Sequence, residues 1–255
     1  MPNPFGDEFM AAGYAASRPA VHPHVIDRLG AWMGGRRVHR AADIGCGAGL
    51  STRPLASLAR VSFGFDPAES MVHVAARLVP TARFVTAGGE AMPFDSRSID
   101  LLTAAGSLNY TRDLGATFAE ASRVLAPGGL LAVYDFSPGR SFEDSDELDE
   151  WFEAFVARYP FPASQARPLS PSLLQDAALD FALVRGETFE IPLPIDPAFQ
   201  VDYMLTETCV QDAVRHGTPL ASIRSWVVET LVPRFDGRTR NVLFRGYLAM
   251  LAHAA

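Results

Sequence analysis

The chain of 255 residues is predicted to fold as an α/β protein, an open sheet with helices on both faces. Three observations predict it. Val38, Ala41, Ala42 and Ile44 make a short apolar run that breaks into Gly45, Gly47 and Gly49, and Leu50, Leu55, Leu58 and Ala59 then follow at helical spacing. Val61 to Phe65 reads as a further short buried strand, and Arg83 to Thr86 as another. Leu130 to Phe136 is apolar almost throughout, as befits a strand covered on both faces in the middle of a parallel sheet.

The turn at 45–49 is the centre of the chain's chemistry. Glycine is needed where the backbone takes a positive φ or where another molecule touches it, and the turn after a strand of an open α/β sheet is where ligands settle. The spacing excludes two common ligands. Counting G-x-G-x-x-G from Gly45 puts Leu50 at the sixth position, so the dinucleotide pattern fails, and no phosphate-loop sequence exists in a chain whose 22 basic residues are all arginine. Asp43, just before the glycines, suits an ammonium or turn amides rather than an anion.

Five segments then resemble, in order, the signature of the class I S-adenosylmethionine-dependent methyltransferases. Asp43-Ile-Gly-Cys-Gly-Ala-Gly49 resembles the first motif, and Phe63-Gly-Phe-Asp66-Pro67-Ala-Glu-Ser-Met71 the second strand with its ribose-binding acid. Gly88-Gly89-Glu90-Ala-Met-Pro-Phe94 resembles the turn beside the adenine, Ser98 to Ala105 the fourth strand, and Arg123 to Val133 the helix-turn-strand after it. The type 11 enzymes, including those that esterify small acids such as trans-aconitate, are the nearest in pattern. The resemblance spans about residues 10 to 136 and implies a Rossmann-like, doubly wound, seven-stranded sheet, mostly parallel with an antiparallel last strand and a helical cap. It implies S-adenosyl-L-methionine as cofactor, S-adenosyl-L-homocysteine as product, and cofactor contacts from Tyr14, Arg18, Asp43, Gly45, Cys46, Gly47, Gly49, Asp66, Pro67, Met71, Gly89, Glu90, Ala105 and Ser107.

In chain order, residues 1–35 form the expected N-terminal lid. Tyr14-x-x-x-Arg18 resembles the pair that closes over the cofactor's carboxylate, a group that the planar fork of arginine matches. Val25, Ile26, Leu29 and Trp32 predict a helix after Pro23. The core is expected over 36–140. There Val61 to Phe65 is a buried strand, and Asp66 stands at its end, 21 positions after Gly45, where a carboxylate accepts ribose hydroxyls. Met71 is a candidate for the adenine face or for ordinary helix core, and His73 for the surface. The family usually has an acid two places before Glu90. Here that place is Gly88, which leaves Glu90 itself, backbone or water to meet the adenine amino group.

The fourth strand leads to Asn109 and Tyr110, where relatives often carry His-Trp. These two are the candidate catalytic residues, as substrate-positioning groups, because neither is a good proton acceptor at neutral pH. Asp135 is a further, weaker candidate base. Asp113 caps a helix from Leu114 to Leu125 that stops at Pro127-Gly128-Gly129.

A helical insert is expected over 141–186. In it the acidic run 143–150 opens a solvated helix with Trp151, Phe152 and Phe155 inward, and a second helix runs from Ser172 to Phe181. Residues 187–255 supply the closing strand pair, Thr188 to Leu193 and Asn241 to Ala252. Cap helices at 197–233, near Pro197 to His216 and Leu220 to Val232, lie between them. Tyr203, Thr206, His216, Arg224 and Trp226 are the cap residues able to reach inward, and Arg18, Arg140 or Arg224 could hold an anionic acceptor.

Composition narrows the partner. Net charge −7 and a pI near 5.4 disfavour nucleic acid, and two cysteines are too few for a disulfide framework or zinc site, so no metal is expected. No apolar run of membrane-spanning length and no signal-peptide pattern is present, which predicts a cytoplasmic protein. The resemblance implies an enzyme, monomer or homodimer, acting on a small molecule, most readily at oxygen. Two other readings stay open: a cofactor-binding protein without methyl transfer, serving as regulator or cyclase scaffold, and an NAD-dependent dehydrogenase, which the glycine spacing disfavours.

Overall fold

A computed structural model describes residues 17–163, 166–178 and 180–254. Helix α1 (Val21–Trp32) leads into strand β1 (Val38–Ile44). Then follow β2 (Ala59–Asp66), α2 (Glu69–Leu78), β3 (Arg83–Thr86), β4 (Ile99–Ala105), α3 (Leu114–Val124) and β5 (Leu125–Phe136). The second half holds β6 (Ser141–Phe142), α4 (Glu147–Arg158), α5 (Pro171–Ala177), β7 (Phe181–Ile195), α6 (Pro197–Met204), α7 (Thr208–Arg215), α8 (Leu220–Leu231) and β8 (Arg240–His253).

The strands make one sheet in the order β3-β2-β1-β4-β5-β8, with β7 on the outer side of β8. Pairing is parallel from β3 to β5, whereas β8 runs antiparallel to β5, β6 and β7. The reversed last strand agrees with expectation. The strand count does not, because the two-residue β6 continues the edge of β5 along β8 and makes the sheet eight-stranded. Strand β7 alternates buried Phe189, Ile191, Leu193 and Ile195 with exposed residues, and its prolines 192 and 194 sit on a strand paired on one side only, where a missing N–H is tolerated.

Two cores flank the sheet. On one face α1, α4, α6, α7 and α8 pack in a continuous cluster with residues of β5, β7 and β8. The other face is covered by Phe118, Ala121 and Val124 of α3 and Leu174 of α5. Trp226 lies 6.0 Å from Trp151 and 6.3 Å from Phe155, ring centre to ring centre, so it belongs to this packing and not to a ligand surface.

Several expectations shift. The helix after the glycine turn is a single 3-10 turn, Arg53–Ser57, because Pro54 opens it and Ala59 already pairs with Val38 in the sheet. The helix placed at 197–216 is two helices, α6 and α7, broken between Met204 and Thr208. Helix α1 begins at Val21, which places Pro23 in its first turn, where a missing N–H costs nothing. Asp113 does cap α3, accepting from Ala116 N at 2.9 Å. The acidic run does more than solvate a helix start: Asp144 and Glu147 accept at 2.5 and 2.6 Å from Arg240, whose guanidinium also lies 3.8 Å from the Phe142 ring centre. That pairing fastens the start of α4 to the start of β8.

Candidate functional site at the glycine turn

The carboxyl ends of β1, β2 and β4 meet around residues 45–49, since Ile44 is in register with Phe65 on one side and Ala104 on the other. Gly45, Gly47 and Gly49 all have positive φ, at +64°, +50° and +84°. Their surroundings differ. A Cβ on Gly45 would stand 2.4 Å from Ser107 Cβ, and one on Gly49 would press on Val79, Ala75 and Phe84, so these two glycines serve close packing. A Cβ on Gly47 would meet nothing within 4 Å. Gly47 therefore presents bare backbone to open space, where a ligand can lie on it.

Asp66 ends β2 beside that opening. Its Oδ2 accepts from Gly47 N at 3.0 Å and its Oδ1 from Ala68 N at 2.8 Å, while burial raises its pKa against the pull of those two amides. Each oxygen keeps a lone pair for a further donor. Cys46 is buried behind the turn, its N–H bonded to Phe65 O at 3.0 Å, and burial pushes its thiol far up, so it is an inert filler.

Asp43 does not face a ligand. It is fully buried, Oδ2 accepting from Ser51 Oγ at 2.6 Å and Thr52 Oγ1 at 2.7 Å, and Oδ1 from Thr103 Oγ1 at 2.8 Å. Burial raises its pKa to about 6 in spite of the three hydroxyls. The carboxylate ties β1, the turn and β4 together from beneath. Ser107 acts similarly from the other side, donating to Ile44 O, and Ala105 is the half-buried end of β4.

Met71 is 4% exposed and packs with Ala48, Ala68 and Val74 under the turn, the helix-core alternative for this residue. Pro67 is exposed. Gly89 is half-buried, and a Cβ there would meet Thr117 at 3.1 Å. Glu90 is exposed and its Oε1 accepts from Arg112 N at 3.2 Å and Asp113 N at 3.4 Å, which spends it on the loop before α3.

The candidate catalytic pair divides. Asn109 Nδ2 donates to Asp135 Oδ2 at 2.8 Å, and Asp135 Oδ1 accepts from Phe136 N at 2.8 Å, with burial raising the Asp135 pKa. Asn109 is thus the holder of a half-buried carboxylate at the ends of β4 and β5. Tyr110 is 71% exposed and points outward.

Tyr14 lies outside the described residues. Arg18 is half-buried, its guanidinium 5.1 Å from the Tyr203 ring centre, and with His22, Asp27, Leu50 and Arg53 it lines a cavity of about 470 Å³ beside the exit of the glycine turn. His22 escaped the sequence reading. Its Nδ1 lies 2.9 Å from the Tyr134 hydroxyl, and burial together with Arg18 lowers its pKa to about 4. Of the cap residues, Tyr203 and Trp226 are packed, whereas Arg224 pairs at the surface with Asp202 at 2.8 Å and His216 is exposed beside Asp212. Among the described residues no group of three His, Cys, Asp or Glu could hold a metal ion, and no helix is long and apolar enough to cross a membrane.

Residues 42–133 match the family described as methyltransferase domain. The chain is 34% identical over 124 residues to the biotin biosynthesis bifunctional protein BioHC of Saccharophagus degradans, a match covering 47% of this chain and 22% of that protein. It is 32% identical over 113 residues to a demethylmenaquinone methyltransferase of Renibacterium salmoninarum, covering 44% of this chain and 46% of that one. The matched stretch thus spans less than half the length of either curated relative. Among solved structures, one from Anaeromyxobacter dehalogenans, proposed to be a type II methyltransferase, superposes with a TM-score of 0.66 at 22% identity, covering 88% of this chain and 94% of the other, and shares its fold.

Proposed function

We propose, from the premise that this chain belongs to the class I, type 11 methyltransferases, that it transfers the methyl group of S-adenosylmethionine to an oxygen of a small molecule. One observation carries the cofactor reading: Asp66, at the end of β2, is braced by the Gly47 amide beside the open face of that glycine. The residues fit the group. The bare backbone at Gly47 admits close approach, the free lone pairs of Asp66 suit the two hydroxyls of a ribose, and Arg18, lining the neighbouring cavity, suits an amino-acid carboxylate.

Bound there, the cofactor supplies an electrophilic methyl on a sulfonium. The chain's own part is to hold two reactants in line and dry, which accounts for a large share of the acceleration in such displacements. Asp43 keeps the turn rigid from below through Ser51, Thr52 and Thr103. A carboxylate acceptor is already ionised and requires no base. For a hydroxyl acceptor the proton goes to Asp135, whose raised pKa brings it nearer to neutrality and which Asn109 keeps in place. Net charge −7 supports a small-molecule acceptor over nucleic acid.

Calorimetry with S-adenosylhomocysteine tests the cofactor reading. The parent binds, and Asp66→Ala binds about tenfold to a hundredfold more weakly, the worth of a charged hydrogen-bond acceptor. Equal affinity in the two proteins refutes it. Labelled methyl from the cofactor appearing in a low-mass metabolite fraction separates transfer from binding alone.

A further inference from the structure

Three buried polar atoms at the base of the cap have no hydrogen-bond partner among the described residues: Glu207 Oε1, Gln200 Oε1 and Arg140 Nε. Gln200, on α6, is fully buried, and Glu207, just before α7, is 6% exposed. They belong to one neighbourhood. Gln200 Nε2 donates to Gly139 O at 3.4 Å, next to Arg140, and the charges of Arg18 and Arg140 both act on Glu207. The Arg140 guanidinium lies 4.1 Å from the Phe152 ring centre.

Orphaned polar atoms in a protein interior are costly, and native structures keep them where a ligand or ordered water completes the set. The inventory here is specific. Arg140 Nε needs an acceptor, whereas Gln200 Oε1 and Glu207 Oε1 need donors. Arg140 offsets the Glu207 charge, and its unpaired Nε–H is the donor left for an anionic group. Arg18 connects this neighbourhood to the cavity at the exit of the glycine turn, where it meets Leu50 and Arg53.

We propose that Arg140, Glu207 and Gln200 form the seat that anchors the methyl acceptor, a small carboxylate with a neighbouring hydroxyl or amino group. The carboxylate takes the Arg140 Nε–H, and the neighbouring group donates to Glu207: a hydroxyl its single O–H, an amino group one N–H there and a second to Gln200. This assignment rests on the cofactor reading above for its place in the reaction, but its binding chemistry stands alone. The break between α6 and α7 is what brings Glu207 inward.

Malate, aspartate and succinate are titrated into the full chain by calorimetry, with and without S-adenosylhomocysteine, and into Arg140→Met and Glu207→Gln. Arg140→Met keeps an unbranched apolar side chain beside Phe152 while removing the guanidinium. Malate or aspartate binds the parent, succinate, which lacks the donor, binds about tenfold or more weakly, and Arg140→Met loses about tenfold or more for every probe. Arg140→Met still binds S-adenosylhomocysteine as the parent does, which shows that it is folded. Failure of all three probes, equal binding of all three, equal binding in Arg140→Met, or crystals soaked in malate that hold only water between the three atoms overturns the seat. Loss of S-adenosylhomocysteine binding alone, with the probes still bound, sinks the cofactor reading and leaves the seat standing.

Discussion

Replacing Asp43 by Asn should stabilise the protein above pH 6. The carboxylate is fully buried and its three partners are all hydroxyls, so no cation offsets its charge among the described residues. An Asn at 43 keeps the network: its carbonyl oxygen accepts from Ser51 and Thr52, and its amide donates to Thr103 Oγ1. The folded pKa of Asp43, about 6, lies above the ordinary 3.8. Between these values the native state binds the extra proton, so the parent loses stability as pH rises from about 4 through about 6, and the loss is complete above. A difference of roughly two units corresponds to about 3 kcal/mol, or about 6–12 °C in the unfolding midpoint of a chain this long. His22 tilts the parent's curve the opposite way over an overlapping range, so the quantity to read is the difference between Asp43→Asn and parent, measured by urea unfolding at several pH values from 4 to 8. That difference should grow through pH 4 to 6 and then level off. A flat difference, or one that shrinks with pH, refutes the reasoning.

Gly45→Ala should lose about 1–3 kcal/mol or more in thermal unfolding, because its φ of +64° disfavours a side chain and the new Cβ would stand 2.4 Å from Ser107 Cβ. Gly47→Ala shares the positive φ but has open space above it, so it should lose less stability than Gly45→Ala while still weakening S-adenosylhomocysteine in calorimetry. His22, with a folded pKa near 4 against an ordinary 6.5, contributes stability that is present above about pH 6.5 and is lost as pH falls toward 4; His22→Gln should flatten this acid limb by up to about 3 kcal/mol. Arg240→Met should lower the unfolding midpoint, and hydrogen exchange should show α4 opening first, since Asp144 and Glu147 lose the residue that ties them to β8.

The parallel half of the sheet was legible because its signals are local. The run of glycines after Ile44, the acid at Asp66 and the cap at Asp113 each follow from contacts a few residues away or from one strand end. What escaped depended on partners distant in sequence. Asp43 looked like a ligand because it stands beside the glycines, yet Thr103, contributed by β4, closes its environment from below. Asn109 is committed to Asp135, and His22 to Tyr134, across separations that no periodicity reveals. The helix expected after the turn was drawn from apolar spacing alone, whereas the pairing of Ala59 with Val38 left room for one tight turn. In the cap, Trp226 and Tyr203 have the residue types of a binding surface but serve packing, and the orphaned Glu207 carried no pattern at all.

Strand β8 is the shared partner of β5, β6 and β7, and it follows all three in sequence. During synthesis the parallel strands can pair as they emerge, while the outer edge of β5 and the whole of β7 stay open until residues 240–253 leave the ribosome. The nascent protein therefore carries a half-built sheet with an unpaired strand edge for the time it takes to translate the helices in between.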